Sequence, residues 1–186
     1  MLPRLSLPPS PATLALIALA FALPGLAGHD LWKTHDAIGL GIVYDMSTSG
    51  SPLVPSVAGH PWLFDPPLYH WLAAGFGKVF QLVLEFHAAA RLASGALVLA
   101  AFWLIYIAAR DWATENEDRR TSAAAAMLVL LGSVGLVVHA HEALPELACL
   151  AALCGALAVL PRAGPKPLAA GALFGAALGL AALSSM

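Results

Sequence analysis

The sequence predicts an all-α, polytopic membrane protein, and three observations carry that reading. Of 186 residues, 60% are hydrophobic and 11% charged, with a mean hydropathy of +0.80, whereas a soluble domain is about one quarter charged. The apolar residues gather in five stretches, and the four later ones are each near the ~20 residues that cross a hydrocarbon core about 30 Å thick. Acids, histidines, tryptophans and prolines collect instead between the first two stretches, from Gly28 to Leu72. Net charge is only −2 and the basic residues are scattered, so nucleic acid is excluded as a partner class.

The first element runs from Thr13 to Ala27 and follows a proline-rich start. Gly25-Leu26-Ala27 resembles a signal-peptidase site. Cleavage there would strip the first anchor from a chain with four further spans, so a retained helix is expected. Those spans are Ala88 to Ala109, Thr121 to Val138, Ala143 to Leu160 and Pro167 to Met186. The connection from Arg110 to Arg120 holds three arginines, and the one from Pro161 to Pro167 holds Arg162 and Lys166. The positive-inside bias places both in the cytoplasm. His139 to Glu142 then face outward with the region 28–87, and the N-terminus lies inside. Pro67 to Leu84 looks like a sixth span, but a crossing there would break this parity. Lys78 and Gln81 among Trp71, Phe76 and Phe80 suit an amphipathic helix lying in the interface. Cys149 and Cys154, five apart in an apolar run, read as small buried hydrophobes. The chain ends on an apolar helix with no closing loop, so it reads as the N-terminal part of a larger protein.

The outer region brings Asp30, Lys33, His35, Asp36 and Asp45 together within a short stretch. Such groups beside a bilayer cost free energy unless they meet water, partners or substrate, which points to a polar site at the membrane surface. On a helix beginning near Lys33, Asp36 is expected to face a cavity. Pro52, Pro55, Pro61, Pro66 and Pro67, with Gly50 and Gly59, rule out long helices between Ser51 and Leu68 and make a fixed, irregular excursion.

The order of Tyr44-Asp45-Met46, Leu53-Val54-Pro55, Ala58-Gly59-His60-Pro61, Asp65-Pro66-Pro67-Leu68-Tyr69-His70-Trp71 and Ala89-Ala90-Arg91-Leu92-Ala93-Ser94 after a first span resembles the membrane glycosyltransferases of the GT-C class. It looks closest to the branch of the aminoarabinose lipid A transferases, with protein O-mannosyltransferases as more distant relatives. The resemblance covers nearly the whole chain and implies a bacterial inner-membrane enzyme. Such an enzyme moves a hexosyl or pentosyl group from a polyprenyl-phosphate donor to a lipid or other acceptor, a protein among them, at the periplasmic face. It also implies juxtamembrane helices in the outer loop.

The family's acidic pair falls on His35 and Asp36, so only its second acid is present. The resemblance makes Asp36 the expected catalytic carboxylate and Asp30 its reserve. Without the resemblance both read as helix caps or solvated loop acids. Where relatives often carry Glu-Lys before the two prolines, this chain has Phe64-Asp65, which leaves donor-phosphate contact to Lys33 or to residues of the larger protein beyond Met186. His35, His60, Asp65, His139, His141 and Glu142 complete the expected substrate-binding set. His139 and Glu142, three apart, share a helical face. A divalent metal there is the lesser reading, because two side chains do not make a site, and no metal ligands are assigned. No cofactor is implied beyond the donor substrate. The competing class is a non-catalytic transporter or scaffold subunit. It predicts inverted repeats with polar groups at mid-membrane depth, whereas the ionisable groups here lie at span ends.

Overall fold

A computed structural model of the chain describes residues 8–27, 30–31, 34–48, 51–114 and 117–185. Helix dominates, and the pattern of starts follows local chemistry. Helix α1 (Pro11–Ala22) opens on proline, whose missing N–H is no loss there, and the Ser10 hydroxyl accepts the Thr13 N–H at 3.1 Å. Helix α2 spans Thr34–Thr48. A two-residue ladder, β1 (Ser56–Val57) against β2 (His60–Pro61), turns over Ala58 and Gly59, whose φ angles of 52° and 78° fit a tight hairpin. Helix α3 (Leu68–Phe80) starts directly after Pro67.

Helix α4 (Phe86–Trp112) is the spine. At 27 residues and ~1.5 Å per residue it is about 40 Å long. Among the described residues it is the one helix long and apolar enough to cross a membrane, while α1 and the last helix are apolar but shorter. Helix α5 (Arg119–Leu131) is capped by Asp118, which accepts the Arg120 N–H at 3.0 Å and the Thr121 hydroxyl at 2.6 Å. Helices α6 (Val134–His139), α7 (Glu146–Val159, extended by a 3₁₀ turn at Leu160–Arg162) and α8 (Pro167–Ala182) complete the order.

Two boundaries differ from expectation. The stretch Thr121 to Val138 is not one helix but α5 and α6, broken at Gly132 and Ser133, because glycine weakens the helix and the Ser133 hydroxyl turns back onto the Leu130 carbonyl at 2.8 Å. The first helix stops at Ala22 rather than Ala27, and Gly25 then takes a φ of 93° that suits glycine. The expected helix after Pro67 is present.

Packing is organised around α4. One core joins Leu14, Ala18 and Ala22 of α1 to Val98 and Phe102 of α4, Met127, Leu136 and Leu147. A second joins Leu40 and Val43 of α2, Tyr69 and Ala73 of α3, Ala90 and Ala93 of α4, Ala143 and Ala148. Alanine and glycine at these contacts let the helices approach closely. Position Gly39 shows how closely: a Cβ added there would overlap the Ala143 carbonyl oxygen.

The two ends of α4 are chemically unlike. At its C-terminal end Asp111 pairs with Arg110 at 2.9 Å and faces Arg162 at 3.9 Å, and the Trp112 indole donates to the Leu157 carbonyl at 3.2 Å. The arginine-bearing connections therefore meet at one end of the bundle. The other end gathers α2, the start of α3 and the turn between α6 and α7. There the backbone N–H of Leu68 donates to the Leu183 carbonyl at 3.1 Å, bringing the end of α8 to the start of α3.

Candidate functional site

Asp36 and Arg91 form the centre of that second end. Both are fully buried. The Arg91 guanidinium donates through Nη2 to Asp36 Oδ2 at 2.5 Å and through Nε to Oδ1 at 3.3 Å, a two-pronged pairing. Oδ1 also accepts the Ala143 N–H at 2.9 Å, and Arg91 Nη2 reaches the Asp30 carbonyl at 3.3 Å. The pair thus ties α2, α4, the segment before α2 and the α6–α7 turn into one unit. An arginine in the second turn of an apolar helix is costly alone and tolerable when a buried carboxylate meets it.

Beside it runs a hydroxyl chain. Ser94 Oγ donates to the Glu142 carbonyl at 2.8 Å, so the Tyr69 hydroxyl, 2.8 Å away, donates to Ser94. Burial pushes the Tyr69 phenol above its ordinary range, partly offset by Ser94, and keeps it a donor. His70, the next residue, is fully buried, and among the described residues neither ring nitrogen has a hydrogen-bond partner. Burial lowers its pKa to about 4, with the charge of Asp65 opposing.

The open part of the site lies beside this pair, where Gly39 of α2 and Ala143 form part of its wall. A cavity of about 230 Å³ is lined by His35, Ile38, Trp62, Asp65 and Glu146 among others. A second, of about 460 Å³, is lined by Leu136, His139, Leu147 and Leu150. His35, Leu144 and Glu146 line both, so they are two halves of one groove, polar and aromatic at one end and aliphatic at the other. The Trp62 indole donates to Asp65 Oδ2 at 2.6 Å, and its ring meets Phe64 edge-on at 5.1 Å.

The expected site residues therefore separate. His35 and Asp65 line the polar half of the groove and His139 the aliphatic half. His139 Nδ1 stands 3.1 Å from Glu142 Oε2, so the two side chains meet as expected, although α6 ends at His139 and Glu142 reaches back from the turn beyond it rather than from a shared helical face. Asp36 is a correction: expected to face a cavity, it is wholly enclosed, because Arg91 and the Ala143 N–H draw its carboxylate inward. Asp30 lies apart, in a cavity of about 550 Å³ with Glu85 and His87. His60 is exposed on β2, outside the groove, and His141 turns to the Phe21 carbonyl at 2.9 Å. Lys33 lies outside the described residues. Among the described residues no three His, Cys, Asp or Glu side chains gather as a metal would require.

Arg91, Ser94 and Tyr69 were not singled out for a site role from sequence. The available signal was the cation itself: an arginine so early in an apolar helix requires a buried acid to answer it.

No protein-family model, curated protein or solved structure matches the chain.

Proposed function

We propose that this protein is a membrane glycosyltransferase of the GT-C kind. It takes a hexosyl or pentosyl group from a polyprenyl-phosphate donor and passes it to a lipid or other acceptor at the periplasmic face of the inner membrane. The groove is the observation that carries the reading. An aromatic, hydroxyl-seeking end (Trp62, Phe64, Asp65, His35) continues into an aliphatic end (Leu136, Leu147, Leu150), which matches a ligand that is saccharide at one end and isoprenoid at the other.

Five apolar segments cross the bilayer in this proposal: α1, α4, α5 with α6, α7, and α8. Support comes from the large apolar side chains left facing outward, such as Leu16, Val129, Val137, Leu168 and Leu173, since lipid solvates these at no cost. The meeting of the arginine-bearing connections at the end opposite the groove also fits a cytoplasmic and a periplasmic side. Helix α3, with Trp71, Leu72, Val79 and Phe80 exposed beside a buried face of Tyr69, His70, Ala73 and Gly77, suits the interface.

Titration of the chain in lipid nanodiscs with a short-chain polyprenyl-phosphate hexose tests the reading by tryptophan fluorescence. Saturable binding, weaker for the same polyprenyl phosphate without its sugar, is expected. Equal response to both, or to neither, refutes it.

A further inference from the structure

We propose that Asp65, rather than Asp36, is the carboxylate that takes the proton from the acceptor hydroxyl; the assignment rests on the transferase reading above. Three observations on the groove separate the acids. Asp36 has no accessible surface and holds Arg91 and the Ala143 N–H with its two oxygens, so no substrate oxygen reaches it. Glu146 lies exposed in the first turn of α7 and lines the aliphatic half as well, where the lipid phosphate's charge would oppose a second anion. Asp65 is half-buried in the polar half. The Trp62 indole fixes one of its oxygens at 2.6 Å. That bond orients the second oxygen without neutralising the group, and the Trp62 and Phe64 rings beside it offer a face on which a sugar stacks.

In the step, the acceptor oxygen attacks the anomeric carbon of the donor. A carbon–oxygen bond forms there as the bond from that carbon to the phosphate oxygen breaks. Polyprenyl phosphate departs with the bonding electron pair, and the acceptor's proton passes to Asp65, from which water removes it. Asp36 is a positioning residue: through Arg91 and Ala143 it sets where α2, with His35, stands against the α6–α7 turn.

The test compares wild type, Asp65→Asn and Asp36→Asn in nanodiscs with the same polyprenyl-phosphate hexose, following release of polyprenyl phosphate to water or an added alcohol. In Asp65→Asn the side-chain amide still offers an oxygen to the indole, so thermal unfolding and donor affinity should stay near wild type. Turnover should fall about 10²- to 10⁴-fold, the usual contribution of a positioned base, and the acid limb of the wild-type pH–rate profile should vanish. Asp36→Asn should instead lower thermal stability and donor affinity together. Turnover by Asp65→Asn within about threefold of wild type overturns the assignment. Donor binding by wild type without any turnover also overturns it, while leaving the lipid-linked sugar reading in place. Absence of donor binding removes both.

Discussion

Replacing Arg91 by methionine is the most direct probe of how the site end is held. The change removes the two-pronged pairing with Asp36 and the bond to the Asp30 carbonyl and leaves a carboxylate of zero exposure without its guanidinium. Breaking a buried pair from one side costs about 3–5 kcal/mol, most of it from the uncompensated charge. For a chain of this size that is a fall of about 6–20 °C in melting temperature. Asp36→Leu should cost as much for the mirror-image reason. The double variant Asp36→Leu with Arg91→Met removes both charges, so its residual loss is chiefly the Ala143 N–H left without that acceptor, about 1–3 kcal/mol, while the carbonyl of the exposed Asp30 is left to water. The double variant should therefore be more stable than either single one. Thermal unfolding in nanodiscs, followed by tryptophan emission, measures all four corners of the cycle. A loss under about 1 kcal/mol for Arg91→Met, or a double variant as unstable as the sum of its parts, would refute the reasoning.

Two further substitutions separate hard from soft contacts. Gly39→Ala places a Cβ against the Ala143 carbonyl oxygen, a backbone atom that cannot step aside, and should cost about 1–3 kcal/mol. Gly95→Ala meets only the tip of the Leu26 side chain, at 2.5 Å, which can rotate away, so its melting temperature should stay closer to wild type. The buried His70 predicts a pH dependence with a definite sign. Its pKa is lowered from 6.5 to about 4, so the unfolded chain binds the proton more readily. The stability it contributes is full above pH 6.5 and is lost as pH falls towards about 4. His70→Phe should flatten that part of a melting-temperature profile and be neutral or stabilising at pH 7, since it removes two unpartnered buried nitrogens.

Most of the helical order was legible because hydrophobic length and proline are local signals. The start of α2 near residue 34, the irregular excursion through Pro52 to Pro67, and α3 after Pro67 all follow from residues adjacent in sequence. The break between α5 and α6 was legible in principle at Gly132 but was obscured by the apolar run around it. What the sequence hid was orientation. Whether Asp36 faces a cavity or the interior depends on Arg91, 55 positions away, and on a backbone N–H 107 positions away. No helical spacing reports such partners. The groove was half visible: His35 and Asp65 were expected, while the aliphatic half required knowing that the α6–α7 turn folds over the start of α2.

The hydrogen bond from Leu68 to Leu183 bears on the order in which this chain matures. Emerging from the ribosome N-terminus first, the excursion and α3 must wait, with that amide unanswered by its final acceptor, until α8 has been made and has folded back along α7. The face that carries the aromatic residues would thus be finished only after α8 is in place, although most of its residues are translated early. Quality control that samples the nascent protein would meet an open excursion throughout that interval.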